Sequence, residues 1–308
     1  MKLAVAAALL SVLPWSFAQA QSSQETVFLI VVENHNWLGT GGIASSPDAP
    51  YINKTLLPMA AVANNYFNPP GNHPSLPNYL WLEAGQNFGI HNDGLPSQNH
   101  QGTHAHLSEL LQNAGITWRA YQESIYGTDC PLWPEGSKDS SGTQYYQPKH
   151  FPQAYFDDMT QTRNSKSTYC IQHARPLTQL STDISKNTLA RYNFITPNMC
   201  HNGHDSCGGS EIAHIDAWLK TTLPLILNST QYKAGHVHIF IVADEAANGD
   251  GPIPFIALGH GVKKGYTNEI RYTHSSLLRT LEEIFNVRPF LGGASSSNDL
   301  RDLFSVFP

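Results

Sequence analysis

Two apolar runs in this chain each end in a pair of hard oxygen ligands. Thr26–Val32 reads TVFLIVV and leads straight into Glu33-Asn34. Val237–Ala243 reads VHIFIVA and leads straight into Asp244-Glu245. Short, nearly continuous runs rich in Val and Ile predict strands buried on both faces, as in a parallel sheet. In open α/β sheets, ligands bind just beyond the carboxyl ends of the strands. Two such strand ends can gather carboxylates around a divalent metal or a phosphate. The plainer alternative is a strand ending in a solvated polar loop. Equally, one of Asp244 and Glu245 can be the ligand while the other caps a turn.

The segment Asn72-His73-Pro74-Ser75-Leu76-Pro77-Asn78-Tyr79-Leu80 is the second place where residue types suggest chemistry. Ser75 stands just before a predicted helix, Leu76–Ala84, which Gly85 closes. Pro77 is tolerated there because a first-turn N–H has no intrahelical partner. Ser75 has two readings. It is either the N-cap, which spacing alone favours, or a nucleophile whose phosphate target is drawn to the helix N-terminus. The chain has no G-x-S-x-G elbow, so the usual α/β-hydrolase arrangement lacks support.

These side chains need a frame. Further predicted strands are Ile116–Tyr121, Tyr192–Thr196 and Ile253–Leu258, and predicted helices are His104–Ala114, Ser210–Leu219 and Ser275–Phe285. Strands alternating with helices imply βαβ units and a mainly parallel central sheet with helices on both faces. The stretch from Tyr126 to Ser167 breaks this rhythm. It is polar, aromatic and rich in Pro and Gly, and reads as a long ordered excursion, either a pocket wall or a structural cover.

The 308 residues begin like a secretory signal peptide: Lys2, an apolar core from Leu3 to Phe17, then Ala18-Gln19-Ala20 as the cleavage end. Residues 1–20 are expected to be removed, leaving 21–308 as one secreted domain without stable membrane anchoring. A net charge of −6, with 18 Lys+Arg, argues against a nucleic-acid partner. Four cysteines in an oxidising compartment predict disulfides. Cys200 and Cys207 close a short loop and are paired, leaving Cys130 with Cys170. A zinc site from Cys200, His204 and Cys207 is the sharper alternative. Asn53-Lys54-Thr55 and Asn228-Ser229-Thr230 are glycosylation sequons. His236 and His238 lie on one face of the strand before Asp244 and read as scaffold residues.

Seen together, Val32-Glu33-Asn34-His35-Asn36, Pro74–Tyr79 with Ala84-Gly85, Phe194-Ile195-Thr196-Pro197-Asn198, His204-Asp205, Asp244-Glu245 and Tyr272–Thr280 resemble, in order, the secreted phosphoesterase family of bacterial phospholipases C and acid phosphatases. The fungal acid phosphatases look nearest. The resemblance implies an alkaline-phosphatase-like α/β fold and metal-dependent phosphoryl transfer on small phosphorylated substrates. It places Glu33, Asn34, Asp244 and Glu245 at metal and phosphate ligand positions, with the divalent metal unidentified. Ser75 falls at the nucleophile position and His204 at an active-site histidine. Asn78 and His274 are expected to bind substrate, although His274 can equally cap a helix or orient a ligand. One departure stands out. Where the phospholipase C branch commonly has a histidine after the acidic pair, this chain reads Asn248-Gly249-Asp250-Gly251-Pro252, so Asp250 is the available acid. The expected activity is that of a secreted acid phosphatase. The alternatives are a phosphodiesterase or phospholipase C using the same residues, and an inactive binding protein on the same fold.

Overall fold

The computed structural model describes residues 25–308. The expected signal peptide therefore lies outside the described residues. In chain order the strands are β1 (Thr26–Val32), β2 (Ala61–Ala63), β3 (Tyr66–Phe67), β4 (Trp118–Gln122), β5 (Glu135–Lys138), β6 (Gln144–Tyr146), β7 (Ala174–Pro176), β8 (Tyr192–Thr196), β9 (Val237–Ala243), β10 (Phe255–Gly259), β11 (Tyr266–Asn268) and β12 (Tyr272–Thr273). Eight of them form one sheet in the order β11-β2-β10-β9-β1-β8-β4-β7. Neighbours run parallel except around β10, which is antiparallel to both β9 and β2. The expected mainly parallel α/β sheet is what the chain forms.

At its centre lie β1 and β9, and every residue of both is buried. Each buried Val, Leu, Ile or Phe side chain contributes about 1.5–3 kcal/mol. Burying a carboxylate costs several kcal/mol. Two largely apolar strands thus form a base stable enough to hold carboxylates at their ends. The register aligns Val32 with Ala243, so the next residues, Glu33 and Asp244, leave the sheet side by side.

The expected strand Tyr192–Thr196 matches residue for residue. The strand expected over Ile253–Leu258 begins two residues later, at Phe255, because Pro252 and Pro254 cannot donate to a ladder. That expected over Ile116–Tyr121 begins at Trp118. The helix expected over Ser210–Leu219 runs further, over Glu211–Leu227, and continues through Pro224. The other two expected helices occupy Leu107–Asn113 and His274–Ile284.

Helix α1 spans Ser75–Ala84. It ends at Gly85, whose φ of +70° suits the left-handed C-terminal turn. A Cβ there would also lie 2.5 Å from the Leu291 carbonyl oxygen. The excursion from Tyr126 to Ser167 holds the β5–β6 hairpin and two short 3₁₀ turns, Pro148–His150 and Pro152–Tyr155. It is pinned by a Cys130–Cys170 disulfide, and Cys200 pairs with Cys207. Both expected pairings are present, which removes the zinc alternative. Among the described residues no helix is long and apolar enough to cross a membrane. His238 bonds Glu25 at the start of β9, at the opposite end of the strand from Asp244.

Candidate active site

The carboxyl-terminal edge of the sheet gathers Glu33, Asn34, Ser75, Asn78, Asp244 and Glu245. Ser75 is the first residue of α1, with Pro74 in the cap position and no side-chain cap. This corrects the N-cap reading. The Ser75 hydroxyl donates to Glu33 Oε2 at 2.9 Å instead. The cap is supplied by Asp93, whose Oδ1 accepts the Leu76 N–H at 2.9 Å. The serine oxygen is thus free of the helix backbone and directed at a buried carboxylate.

Residues three and four apart share a helix face. Ser75, Asn78 and Tyr79 have that spacing, and all three reach the carboxylates. Tyr79 donates its hydroxyl to Glu33 Oε1 at 2.7 Å. Asn78 donates to Glu245 Oε2 at 3.2 Å and to the Asn72 carbonyl at 2.7 Å. His150 Nε2 lies 3.1 Å from Glu33 Oε1, and the His150 and Tyr79 rings stack at 5.1 Å. Glu33 is therefore fully buried but well partnered.

Asp244 is different. It is fully buried, its Oδ1 accepts the Asn34 N–H at 3.1 Å, and its Oδ2 has no hydrogen-bond partner among the described residues. Asn34 Oδ1 is also buried without a partner. Asn34 adopts a φ of +29°, a region asparagine tolerates better than most residues. Burial, then the charges of Glu33 and Glu245, push the Asp244 carboxyl well above its usual range. Burial, then Glu33, pushes Glu245 up to about 7 against the opposing pull of His73. Buried polar atoms are normally satisfied, so two orphaned oxygens on residues joined by the Asn34 N–H to Asp244 bond call for a partner of opposite charge. Hard oxygens from Asp244 and Asn34, with Glu33 and Glu245 beside them, suit a divalent cation.

The remaining expected residues fall around this cluster. His204 Nδ1 bonds Asp205 Oδ1 at 2.7 Å, and its Nε2 lies 3.5 Å from Lys149 Nζ. His274 is fully buried behind the site, with Nε2 2.5 Å from the Asp244 carbonyl oxygen and Nδ1 3.2 Å from the Tyr66 hydroxyl. Burial lowers its pKa to about 4, so it is a neutral anchor for the Asp244 backbone. His73 Nδ1 pairs with Glu245 Oε2. Asp250 Oδ1 accepts the Gly71 N–H at 3.0 Å and lies 3.3 Å from His73 Nε2, so it braces the loop before α1.

Sequence reasoning missed Tyr79, Asp93, Lys149 and His150. Tyr79 was signalled by its spacing from Ser75. Lys149 and His150 sit in a turn without periodicity, and nothing local marks them. Among the described residues, one group of three potential ligands lies within 4.8 Å: His104, Glu109 and Asp158, away from the strand ends. His104 is exposed there, and Asp158 already bonds His106.

A cavity of about 260 Å³ is lined in part by Asp93, Gln147, Lys149, Met199 and His204, and Lys149 connects it to Ser75, which does not itself line it. A larger one of about 510 Å³ lies by Trp118, Arg119 and Arg175 and contains none of the expected residues. Chemistry, not size, picks out the smaller.

Residues 42–288 match the model of the Phosphoesterase family. The chain belongs to that family. It is 26% identical over 279 residues to the phosphatidylinositol-3-phosphatase of Mycobacterium tuberculosis, covering 90% of this chain and 82% of that one. To the phosphate-repressible acid phosphatase of Penicillium chrysogenum it is 28% identical over 253 residues, covering 77% and 54%. An acid phosphatase of Aspergillus fumigatus is 25% identical over 225 residues, covering 71% and 47%. The chain thus spans about half the length of these fungal relatives. Among solved structures, an alkaline phosphatase superfamily protein from Vibrio parahaemolyticus superposes with a TM-score of 0.56 at 10% identity, covering 92% and 72%. The phosphonate monoester hydrolase of Silicibacter pomeroyi also gives 0.56, at 11% identity, covering 92% and 77%. These two likenesses bear on the fold alone, and the alkaline-phosphatase-like expectation stands. Family membership makes this phosphoesterase a phosphoric ester hydrolase.

Proposed function

We propose that residues 21–308 form one phosphoesterase unit acting as a secreted acid phosphatase on phosphomonoesters, with Ser75 as nucleophile. The observation that carries this reading is the Ser75 hydroxyl, uncapped at a helix N-terminus and donating to buried Glu33 beside the orphaned oxygens of Asp244 and Asn34. The fungal and mycobacterial relatives, each named as a phosphatase, support the substrate class. The two disulfides fit an oxidising compartment.

In this reading Ser75 Oγ attacks phosphorus and its proton passes to Glu33. His204, protonated, gives a proton to the departing alkoxide. Water then cleaves the phosphoserine, Ser75 recovers its proton from Glu33, and His204 takes one from the water. The helix N-terminus favours the phosphate charge. A divalent cation held by Asp244 and Asn34, with Glu33 and Glu245 beside them, would supply positive charge against the phosphoryl oxygens. Asn78 holds Glu245 and the Asn72 loop in place. Exposed Asn228 is the sequon open to a glycan, whereas the Asn53 amide already donates to three backbone carbonyls.

The test is hydrolysis of a chromogenic phosphomonoester and its matched diester, with and without chelator, from acidic to mildly alkaline pH. Faster, chelator-sensitive monoester turnover is expected. Preference for the diester would move the assignment to the phosphodiesterase side, and no turnover of either would leave a binding protein.

A further inference from the structure

The turn Pro148–His150 brings two consecutive side chains to the site from the excursion. His150 faces Glu33. Lys149 faces the nucleophile: its Nζ lies 3.4 Å from Ser75 Oγ, 3.0 Å from Asp93 Oδ2 and 3.5 Å from His204 Nε2. Its side chain is only 12% exposed. Asp93 ties it to α1, because the other oxygen of that carboxylate accepts the Leu76 N–H. The ammonium and the Ser75 hydroxyl are thus fixed to the same helical turn. Among the described residues Lys149 forms its ion pair with Asp93, not with Glu33. Ser75 Oγ therefore contacts an ammonium as well as the carboxylate it bonds.

Confining a lysine side chain costs rotamer freedom, and removing its charge from water costs more. An ion pair with the exposed Asp93 could form further out in solvent without either cost. What the buried position adds is contact with Ser75 and with His204.

We infer that Lys149 is a catalytic residue whose ammonium supplies fixed positive charge beside the Ser75 oxygen during phosphoryl transfer. The inference rests on the phosphatase reading above. As the Ser75 Oγ–P bond forms and the P–O bond to the alcohol breaks, negative charge passes from the serine oxygen across the phosphoryl group. The Ser75 proton goes to Glu33 and the leaving alkoxide takes one from His204, so Lys149 keeps all three of its protons throughout. One of its N–H groups is held by Asp93 and another faces Ser75 Oγ, while His204 Nε2, 3.5 Å away, carries its own proton in this step and accepts none from Lys149. Charge placed in advance where charge develops stabilises the transition state more than the ground state. Lys149 and His204 both line the 260 Å³ cavity, so an ester phosphate entering there meets the ammonium, whose Nζ lies 3.4 Å from the buried Ser75 Oγ.

The experiment uses the full-length, metal-loaded protein with Lys149→Met, Lys149→Gln, Lys149→Arg and Lys149→Ala. Acid-quenched phosphoserine at Ser75, kcat/KM on a chromogenic monoester, metal content and thermal midpoint are measured for each. Lys149→Met is expected to lower kcat/KM and the phosphorylation rate about 10²–10³-fold with metal content unchanged. Arg should recover part of the loss, and added ethylammonium should restore part of it in Lys149→Ala. If Lys149→Met destabilises the fold, Lys149→Gln carries the same comparison. Phosphorylation of Lys149→Met at the wild-type rate would overturn the inference. So would a loss that neither Arg nor amine relieves. Absence of phosphoserine in the wild type would instead remove the phosphatase reading itself.

Discussion

Ser75 and Asp244 separate two jobs that buried polar groups perform in this phosphoesterase. Ser75 is a hydroxyl with one strong acceptor, Glu33. Ser75→Ala removes that donor but leaves Glu33 with Tyr79 and the nearby His150. The expected outcome is loss of at least about 10³-fold in kcat, with a stability change within about 1–2 kcal/mol. An unchanged rate would take Ser75 out of the mechanism. Asp244 is a fully buried acid with an orphaned oxygen, and burial with the charges of Glu33 and Glu245 makes its ionised form costly without a counter-charge. Asp244→Asn is nearly isosteric and removes that charge. In chelator the variant is expected to melt at or above the wild-type temperature. Adding a divalent ion should raise the wild-type midpoint, by about 2.7 kcal/mol of stabilisation at 100 times Kd, and should leave the variant where it was. Equal metal-induced shifts in both proteins would refute the ligand role of Asp244.

At the scale of elements, the site is assembled from two regular strands, one helix turn and one irregular loop. That division explains what was legible beforehand. β1 and β9 were readable because a nearly continuous apolar run has few other structures available to it, and acidic residues at the run's end then have a known place. The helical face of Ser75, Asn78 and Tyr79 was half readable: the spacing was visible, but its direction toward Glu33 depends on how α1 docks. The Pro148–His150 turn was not readable, since its position depends on tertiary contacts and a 40-residue disulfide loop. That loop yields a prediction. Closing it limits the unfolded chain, worth roughly 4 kcal/mol on the chain-entropy account. Replacing Cys130 and Cys170 together by Ala should cost stability of that order. Because the loop carries Lys149 and His150, kcat/KM should also fall at temperatures well below the variant's midpoint. Opening the seven-residue Cys200–Cys207 loop should cost less, roughly 2 kcal/mol. A larger stability loss from opening Cys200–Cys207 than from opening Cys130–Cys170 would contradict the chain-entropy account.

The molecule as a whole carries buried titrating groups that favour acidic conditions. His106 is fully buried between Glu83 and Asp158, with Nδ1 3.0 Å from Glu83 Oε1 and Nε2 2.9 Å from Asp158 Oδ2. Burial opposes its charge, but the hydrogen bonds and charges of Asp158 and Glu83 prevail and raise its pKa to about 9. The imidazolium is bound more tightly in the folded chain than in the unfolded one, whose histidine titrates near 6.5. Its stabilisation is complete below pH 6.5 and is lost as pH rises to about 9, an amount on the order of 3 kcal/mol. Glu282 acts in the same sense over a lower window. Burial raises it from 4.5 to about 7, so ionising it in the folded chain costs stability across that range. The opposite sense comes from Asp158, Asp183, Asp299 and Asp302, whose carboxyls lie below the ordinary value of 3.8. Their contribution is present above that value and fades only under stronger acid. Buried His274, lowered to about 4, and His150, held well below 6.5, also lose stability as pH falls below 6.5, which offsets Glu282 and places the stability maximum near pH 6 to 6.5. Urea unfolding with disulfides intact and metal saturating, at half-unit steps from pH 4 to 9, measures it. A steady fall from pH 6.5 to 9 is expected, and His106→Gln should flatten that limb even though it lowers stability throughout. The same slope in wild type and variant would show that another group sets it.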